Sequence, residues 1–277
     1  VDEVPLPKLP KAKDGTKISC PIFPDLDIRP PVQVSLGVHV LGAALPHPDR
    51  QDPETILAGA RRRFLADTVK PDQKWLVGFR AHVRRRVREL FKPLPIDEDL
   101  SVEKWLAQTN YPEHRRKALM ECFLKIENPD SSEHALVNSF MKDEPYSEYK
   151  HARAINSRSD EYKCLVGPAF KVIEKVVYDH PAFIKHVPVA DRPNYVRNRV
   201  YAHGRRYIAT DYSTFEALFT EEIMASCEFE LYEYMLSKHP EGKRTLSRII
   251  NVLGGRNSLR FKYFIIQLNA TRMSGEM

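Results

Sequence analysis

Between Val32 and Val40 apolar residues fall at every second position (Val32, Val34, Leu36, Val38, Val40), the pattern of a strand half-buried on one face. Beyond it the step lengthens. Asp52-Pro53 supplies an N-cap and a proline at the first helical position, predicting a helix to about Ala66. A second helix is predicted from about Asp72 to Phe91, where Trp75, Phe79, Val83, Val87 and Leu90 recur at steps of three or four. Shorter helices follow at Ser101–Gln108 and Pro112–Ile126. From Asn138 the texture changes: Ser139–Met141 and Arg153–Ile155 read as short strands joined by a polar turn. A helix over Pro168–Tyr178, an Arg-rich loop and a strand at Arg206–Thr210 come next. From Thr220 one helix carries Ile223, Cys227, Leu231 and Met235 at steps of four. Gly254-Gly255 then turns into Leu259–Ile266, read as a hairpin. Residues 1–31, rich in Pro and Lys, read as an extended arm.

Composition narrows the class. The 277 residues are 42% hydrophobic and 29% charged, a globular balance for one large or two small domains. No apolar run approaches the ~20 residues of a membrane span, and the acidic, proline-broken start has no signal-peptide pattern. Cys20, Cys122, Cys164 and Cys227 are scattered, which suits neither a zinc site nor a disulfide scaffold and reads as buried thiols in a reducing compartment. The net charge of +6 points to a polyanionic partner. The chain begins on Val1 rather than Met and ends on Met277 in mid-pattern, so it is expected to be a piece of a longer polypeptide.

The charge is concentrated. From Arg61 to Lys92 there are eleven Lys or Arg against three acidic residues, and Arg80, Arg84 and Arg88 share a helix face at steps of four. Such a stripe suits the phosphates of a nucleic acid; a solvated helix face is the other reading. A second cluster, Arg192, Arg197, Arg199, Arg205 and Arg206, precedes a short apolar run ending on Asp211. A carboxylate at a strand's end is held at the rim of a sheet, where it can bind Mg²⁺ with substrate phosphates completing the shell. Glu216 follows five residues on.

Three further segments, two upstream and one downstream, set this carboxylate in a wider pattern. Phe140-Met141-Lys142-Asp143-Glu144 leads to Arg153-Ala154-Ile155-Asn156-Ser157-Arg158. Asp211-Tyr212-Ser213-Thr214-Phe215-Glu216 comes next, and Arg272-Met273-Ser274-Gly275-Glu276-Met277 ends the chain. In order and spacing they resemble the positive-strand viral RNA-dependent RNA polymerases, nearest the tombusvirus-like and nodavirus-like groups. The resemblance covers residues 136–277 firmly and the earlier region loosely. It implies an α+β, right-hand polymerase fold that stops before the Gly-Asp-Asp motif and the thumb. Residues 1–135 would be an N-terminal arm and helical fingers region, 136–203 fingers, and 204–277 the start of the palm, with 238–265 a fingers insertion. Asp211 would be the catalytic metal ligand for Mg²⁺ or Mn²⁺, helped by the Tyr212 backbone carbonyl. Lys142, Arg153, Arg158, Glu216, Ser274 and Gly275 would contact the nucleotide, and Arg80, Arg84 and Arg88 the RNA. The implied function is template-dependent ribonucleotidyl transfer on RNA template and product with ribonucleoside triphosphates. It would take place in the host cytoplasm at membrane-associated replication sites, with other viral or host replication proteins as partners. No Asp-Asp pair occurs in the chain, so the isolated fragment is expected to be inactive.

Two departures from the pattern and two rival readings stay open. Many relatives carry Asp where this chain has Glu216, and the chain stops within the last motif. Asp211-Tyr212-Ser213 to Glu216 also resembles a family A DNA polymerase, although Lys142–Arg158 has no counterpart there. A non-enzymatic basic RNA-binding protein would use the arginine-rich helices alone.

Overall fold

The computed structural model describes residues 15–19, 46–148, 150–212 and 215–273. The strand expected at Val32–Val40 lies outside them, as do Ser213, Thr214, Ser274 and Gly275. Strand β1 (Lys17–Ser19) opens the described chain. Helix α1 (Pro53–Ala60) starts where expected, with the Asp52 carboxylate accepting from the Thr55 amide at 2.6 Å. It continues into a π-helical turn over Arg61–Leu65 that buries Phe64 and Leu65. Helix α2 (Gln73–Leu90) is capped by Asp72 on the Trp75 amide. Its buried stripe is narrower than the periodicity predicts: Leu76 and Val87 are inside, whereas Trp75 and Leu90 are exposed. Helices α3 (Val102–Ala107) and α4 (Glu113–Leu124) pack Trp105 and Leu119 against Cys164.

Strands β2 (Leu136–Met141) and β3 (Ala154–Arg158) pair antiparallel, with Met141 opposite Ala154. Helix α5 (Asp160–Tyr178) begins eight residues before the expected Pro168, because the Ser159 hydroxyl caps the Tyr162 amide and Pro168 is accepted inside the helix. The Arg-rich loop is in part a helix, α6 (Arg192–Val200), with Pro193 in its first turn and no buried residue. After α7 (Phe215–Leu218), the single helix expected from Thr220 is two: α8 (Glu221–Ser226) and α9 (Glu228–Leu236). They part at Cys227, whose φ of −129° and ψ of −74° leave the helical region. Helix α10 (Gly242–Leu253) leads into the expected hairpin, β4 (Asn257–Arg260) and β5 (Ile265–Leu268).

The protein is thus of mixed α+β class, and the described residues form a five-stranded sheet in the order β1-β5-β4-β2-β3. Among the described strands only the β2–β4 pair is parallel; the other pairs are antiparallel. Period-2 burial sends Val137 and Met141 of β2, Leu259 of β4, and Ile266 and Leu268 of β5 into one core, covered by Ile56, Ala60, Phe64 and Leu65. A second core gathers Tyr162, Val166, Met224, Met235 and Ile249 from α5, α8, α9 and α10. Arg206–Thr210 is not a strand. Tyr207 and Ile208 are exposed, and no strand of the described sheet lies beside them, so a ladder there has no partner for its N–H and C=O groups.

Candidate nucleotide-contacting site and basic surfaces

The β2–β3 pairing joins residues that are eleven apart in sequence. The Lys142 amide donates to the Arg153 carbonyl at 2.8 Å, carrying the ladder one step past Met141. Their side chains converge on Glu144. Lys142 Nζ lies 2.7 Å from Glu144 Oε2. Arg153 donates through Nε to Oε1 and through Nη2 to Oε2, the latter at 2.7 Å. The Tyr146 hydroxyl donates to Oε1 at 3.0 Å. The Arg153 hydrogen bond, against opposing burial and with help from Lys142 and Tyr146, holds the Glu144 carboxyl at about 2. The carboxylate raises the pKa of Arg153 in return. Glu144 is mostly covered, whereas its two cations are nearly half exposed. The carboxylate therefore orients cations whose outer faces stay open to solvent.

The loop carrying this cluster is fastened to residues 46–50. The Tyr146 amide donates to the Pro46 carbonyl at 2.9 Å, and Asp143 meets His47 at 2.8 Å and Arg50 at 3.1 Å. From beneath, α1 presses on the same loop: a Cβ on Gly59 would sit 2.6 Å from the Ala152 carbonyl oxygen and 3.3 Å from Met141.

Arg158 lies elsewhere. It is 3% exposed, with Nη1 donating to Asn257 Oδ1 at 2.6 Å and its guanidinium 5.8 Å from the Tyr162 ring centre. It ties together the two strands that flank β2 and does not join Lys142 and Arg153. Asp211 is exposed and accepts from the Tyr212 amide at 2.9 Å. Glu216, on α7, lies 3.5 Å from Arg63 of the π-helical turn. Ser274 and Gly275 fall outside the described residues.

Among the described residues no group of three or more His, Cys, Asp or Glu is close enough to hold a metal ion. Mg²⁺ is commonly held by one or two carboxylates with water and phosphate oxygens. Asp211 is an exposed carboxylate of that type, and among the described residues it belongs to no group of three or more such side chains.

The arginine stripe of α2 is partly engaged. Glu230 on α9 is buried beneath it and accepts from Arg80 Nε, from Arg84 Nε at 2.7 Å and from Arg84 Nη2 at 2.9 Å. Burial raises the Glu230 pKa, but the hydrogen bonds from Arg84 and Arg80 outweigh it and leave the carboxyl low. Arg85 and Arg86 reach Glu89 on their own helix. Arg88 has no carboxylate partner among the described residues, and all these arginines except Arg86 border one open groove along α2.

Sequence reasoning missed Glu230 as the counter-ion of the stripe, Tyr146 and His47 as anchors of the cationic loop, and Arg63 as the partner of Glu216. The run Arg61–Arg63 was visible, but nothing local in the sequence pairs it with a residue 153 positions later. No family model matches the sequence, and no curated protein is similar to it. No helix among the described residues is long and apolar enough to cross a membrane.

Proposed function

We propose that the chain is the fingers and the opening of the palm of a viral RNA-directed RNA polymerase. What carries the reading is the ordered set Lys142–Glu144, Arg153–Arg158, Asp211–Glu216 and Arg272–Met277. The geometry supports its first half: Lys142 and Arg153, brought side by side by the β2–β3 pairing, share one carboxylate and offer two half-exposed cations. Phosphoryl transfer needs positioning and charge stabilisation more than covalent help. Arg153 commits its Nε and Nη2 to Glu144 and keeps Nη1 for a triphosphate oxygen, while Lys142 adds a mobile point charge. Asp211, with the Tyr212 carbonyl, would hold a divalent metal, Mg²⁺ or Mn²⁺; when bound, the metal polarises phosphate oxygens and the attacking hydroxyl. Glu216, steadied by Arg63, would accept from the ribose 2′-hydroxyl. Arg158 takes the part of a buried brace for β3 rather than of a phosphate contact.

The test is template-directed incorporation of ribonucleotides by the full-length protein with Mg²⁺ or Mn²⁺, compared with its Asp211→Asn variant. A loss of at least ~10²-fold is expected, because a preorganised charge at the reacting phosphate is removed. RNA binding is expected to survive. Activity within tenfold of the parent rejects Asp211 as the ligand, and no incorporation by the parent protein rejects the reading itself.

A further inference from the structure

The cations between α5 and α7 differ from those of α2. Arg197, Arg199, Arg205 and Arg206 have no carboxylate partner among the described residues, and Asp211 is the only acidic residue from Arg192 to Tyr212. Tyrosines punctuate the same stretch at 195, 201, 207 and 212, steps of six, six and five. Tyr201, Tyr207 and Tyr212 are 61%, 55% and 58% exposed.

Two of the four tyrosines, Tyr195 and Tyr207, are tied to backbone through their hydroxyls. The Tyr195 hydroxyl donates to the Pro181 carbonyl at 2.9 Å. Arg197 lies 5.9 Å from the Tyr201 ring centre. Beyond α6 the chain reverses: the Arg205 amide donates to the Ala202 carbonyl at 3.2 Å, and Gly204 sits at φ +76°, which a turn of this kind needs. The reversal brings Tyr207 back, so that its hydroxyl accepts from the Ala202 amide at 2.8 Å and donates to the Ala202 carbonyl at 3.1 Å. The polar tip is thus spent on backbone, and the exposed ring is left as an apolar face beside Arg205 and Arg206.

We infer that Arg192–Tyr212 is a binding platform for single-stranded nucleic acid, with the tyrosine rings stacking bases and the arginines neutralising the backbone between them. Aromatic faces interleaved with unpaired cations recognise a strand whose bases are unstacked, whereas a duplex offers such a surface only phosphates. Rings already tied to backbone lose little freedom on binding. The choice of RNA as the strand rests on the polymerase reading, but binding needs no catalysis, so failure here leaves the Asp211 test untouched.

The experiment measures binding of a labelled oligouridylate of about 12 nucleotides to the purified chain across a salt series. Replacing Tyr201 and Tyr207 together with Leu should weaken binding by about tenfold or more at fixed salt, with the salt slope unchanged. Replacing Arg197, Arg199, Arg205 and Arg206 with Gln should flatten the slope by up to ~2.8, at ~0.7 per lost phosphate contact. Tyr207→Phe, which keeps the ring, should retain most of the affinity. All six positions are exposed or carry no core contact, so the fold survives these changes. The inference is overturned if the Tyr-to-Leu pair binds like the parent, if Tyr207→Phe loses as much as that pair, or if duplex RNA of equal length binds as tightly. It is also overturned if phosphatidylserine vesicles, and not the oligonucleotide, are bound through these residues.

Discussion

Glu144 accepts from three residues at once and illustrates how one residue's charge becomes a pH-dependent stability. Its folded pKa, about 2, lies below the unfolded value of about 4.3. Its contribution is therefore fully present above pH ~4.3 and is lost as pH falls toward 2. Glu144→Gln should lower stability at pH 7 by no more than about 1 kcal/mol, since both cations can rehydrate. The difference from the parent in urea midpoint should shrink as pH falls from 4.3 to 2.5; a constant difference would remove Glu144 from the acid sensitivity. Cys164 is set by its surroundings in the opposite sense. Burial, then the nearby Cys122 and acidic groups, push its thiol up to about 12, and its Sγ lies 3.3 Å from the Leu119 carbonyl. Thiolate is the reactive form, so alkylation of the native protein at pH 8, followed by mass spectrometry, should modify Cys122 before Cys164. Equal modification would show that the α4–α5 contact opens readily.

Between elements, two contacts fix the helices that carry the basic surfaces. Glu230 joins α9 to α2, and its loss of partners is unequal to theirs. Removing Arg80 and Arg84 leaves a buried carboxylate without counter-charge, whereas removing Glu230 leaves arginines that already reach solvent. The double Arg-to-Ala variant should therefore lower the urea midpoint more than Glu230→Met does. The reverse order would mean that the arginines, not the carboxylate, are the strained partners. The same contact means that any RNA affinity lost in an Arg80/Arg84 variant can report folding alone. Arg88 is the cleaner probe of that helix. Gly59 joins α1 to the loop before β3 with no room for a side chain, so Gly59→Ala should cost about 1–3 kcal/mol in urea denaturation. Part of this was legible in sequence. Asp52 announced its helix because capping is local chemistry, and Asp72 and Ser101 cap the next two helices in the same way. Pro168 misled: it marked a plausible helix start, while Ser159 began the helix earlier. Arg158 was legible in principle, since strand parity puts it on the inward face with Ala154 and Asn156 and sets Arg153 opposite. The Cys227 break was not, because a run of residues at steps of four reads as one helix until tertiary packing divides it.

At the scale of the whole molecule, the described chain brings Lys142 and Arg153 together and leaves Asp211 on an exposed segment. The 277 residues contain no Asp-Asp pair, and two-metal transfer requires carboxylates from more than one strand. The purified chain alone is expected to incorporate no nucleotide on an RNA template; measurable template-dependent extension without a helper would refute that expectation. The composition of 206–210 predicts a strand, yet a strand exists only beside another, and pairing over long distances is what local pattern cannot report. The sheet makes the same point in time. Residues 17–19 pair with 265–267 at one edge, and β2 waits for β4 across more than 110 residues. At a synthesis rate of roughly 5–20 residues per second, β1 must wait about 12–50 seconds for its neighbour to be made. Until then the nascent chain has helices to bury and half a sheet to shield. A chaperone that holds the emerging β2–β3 hairpin would therefore raise the yield of folded protein more than one acting after release.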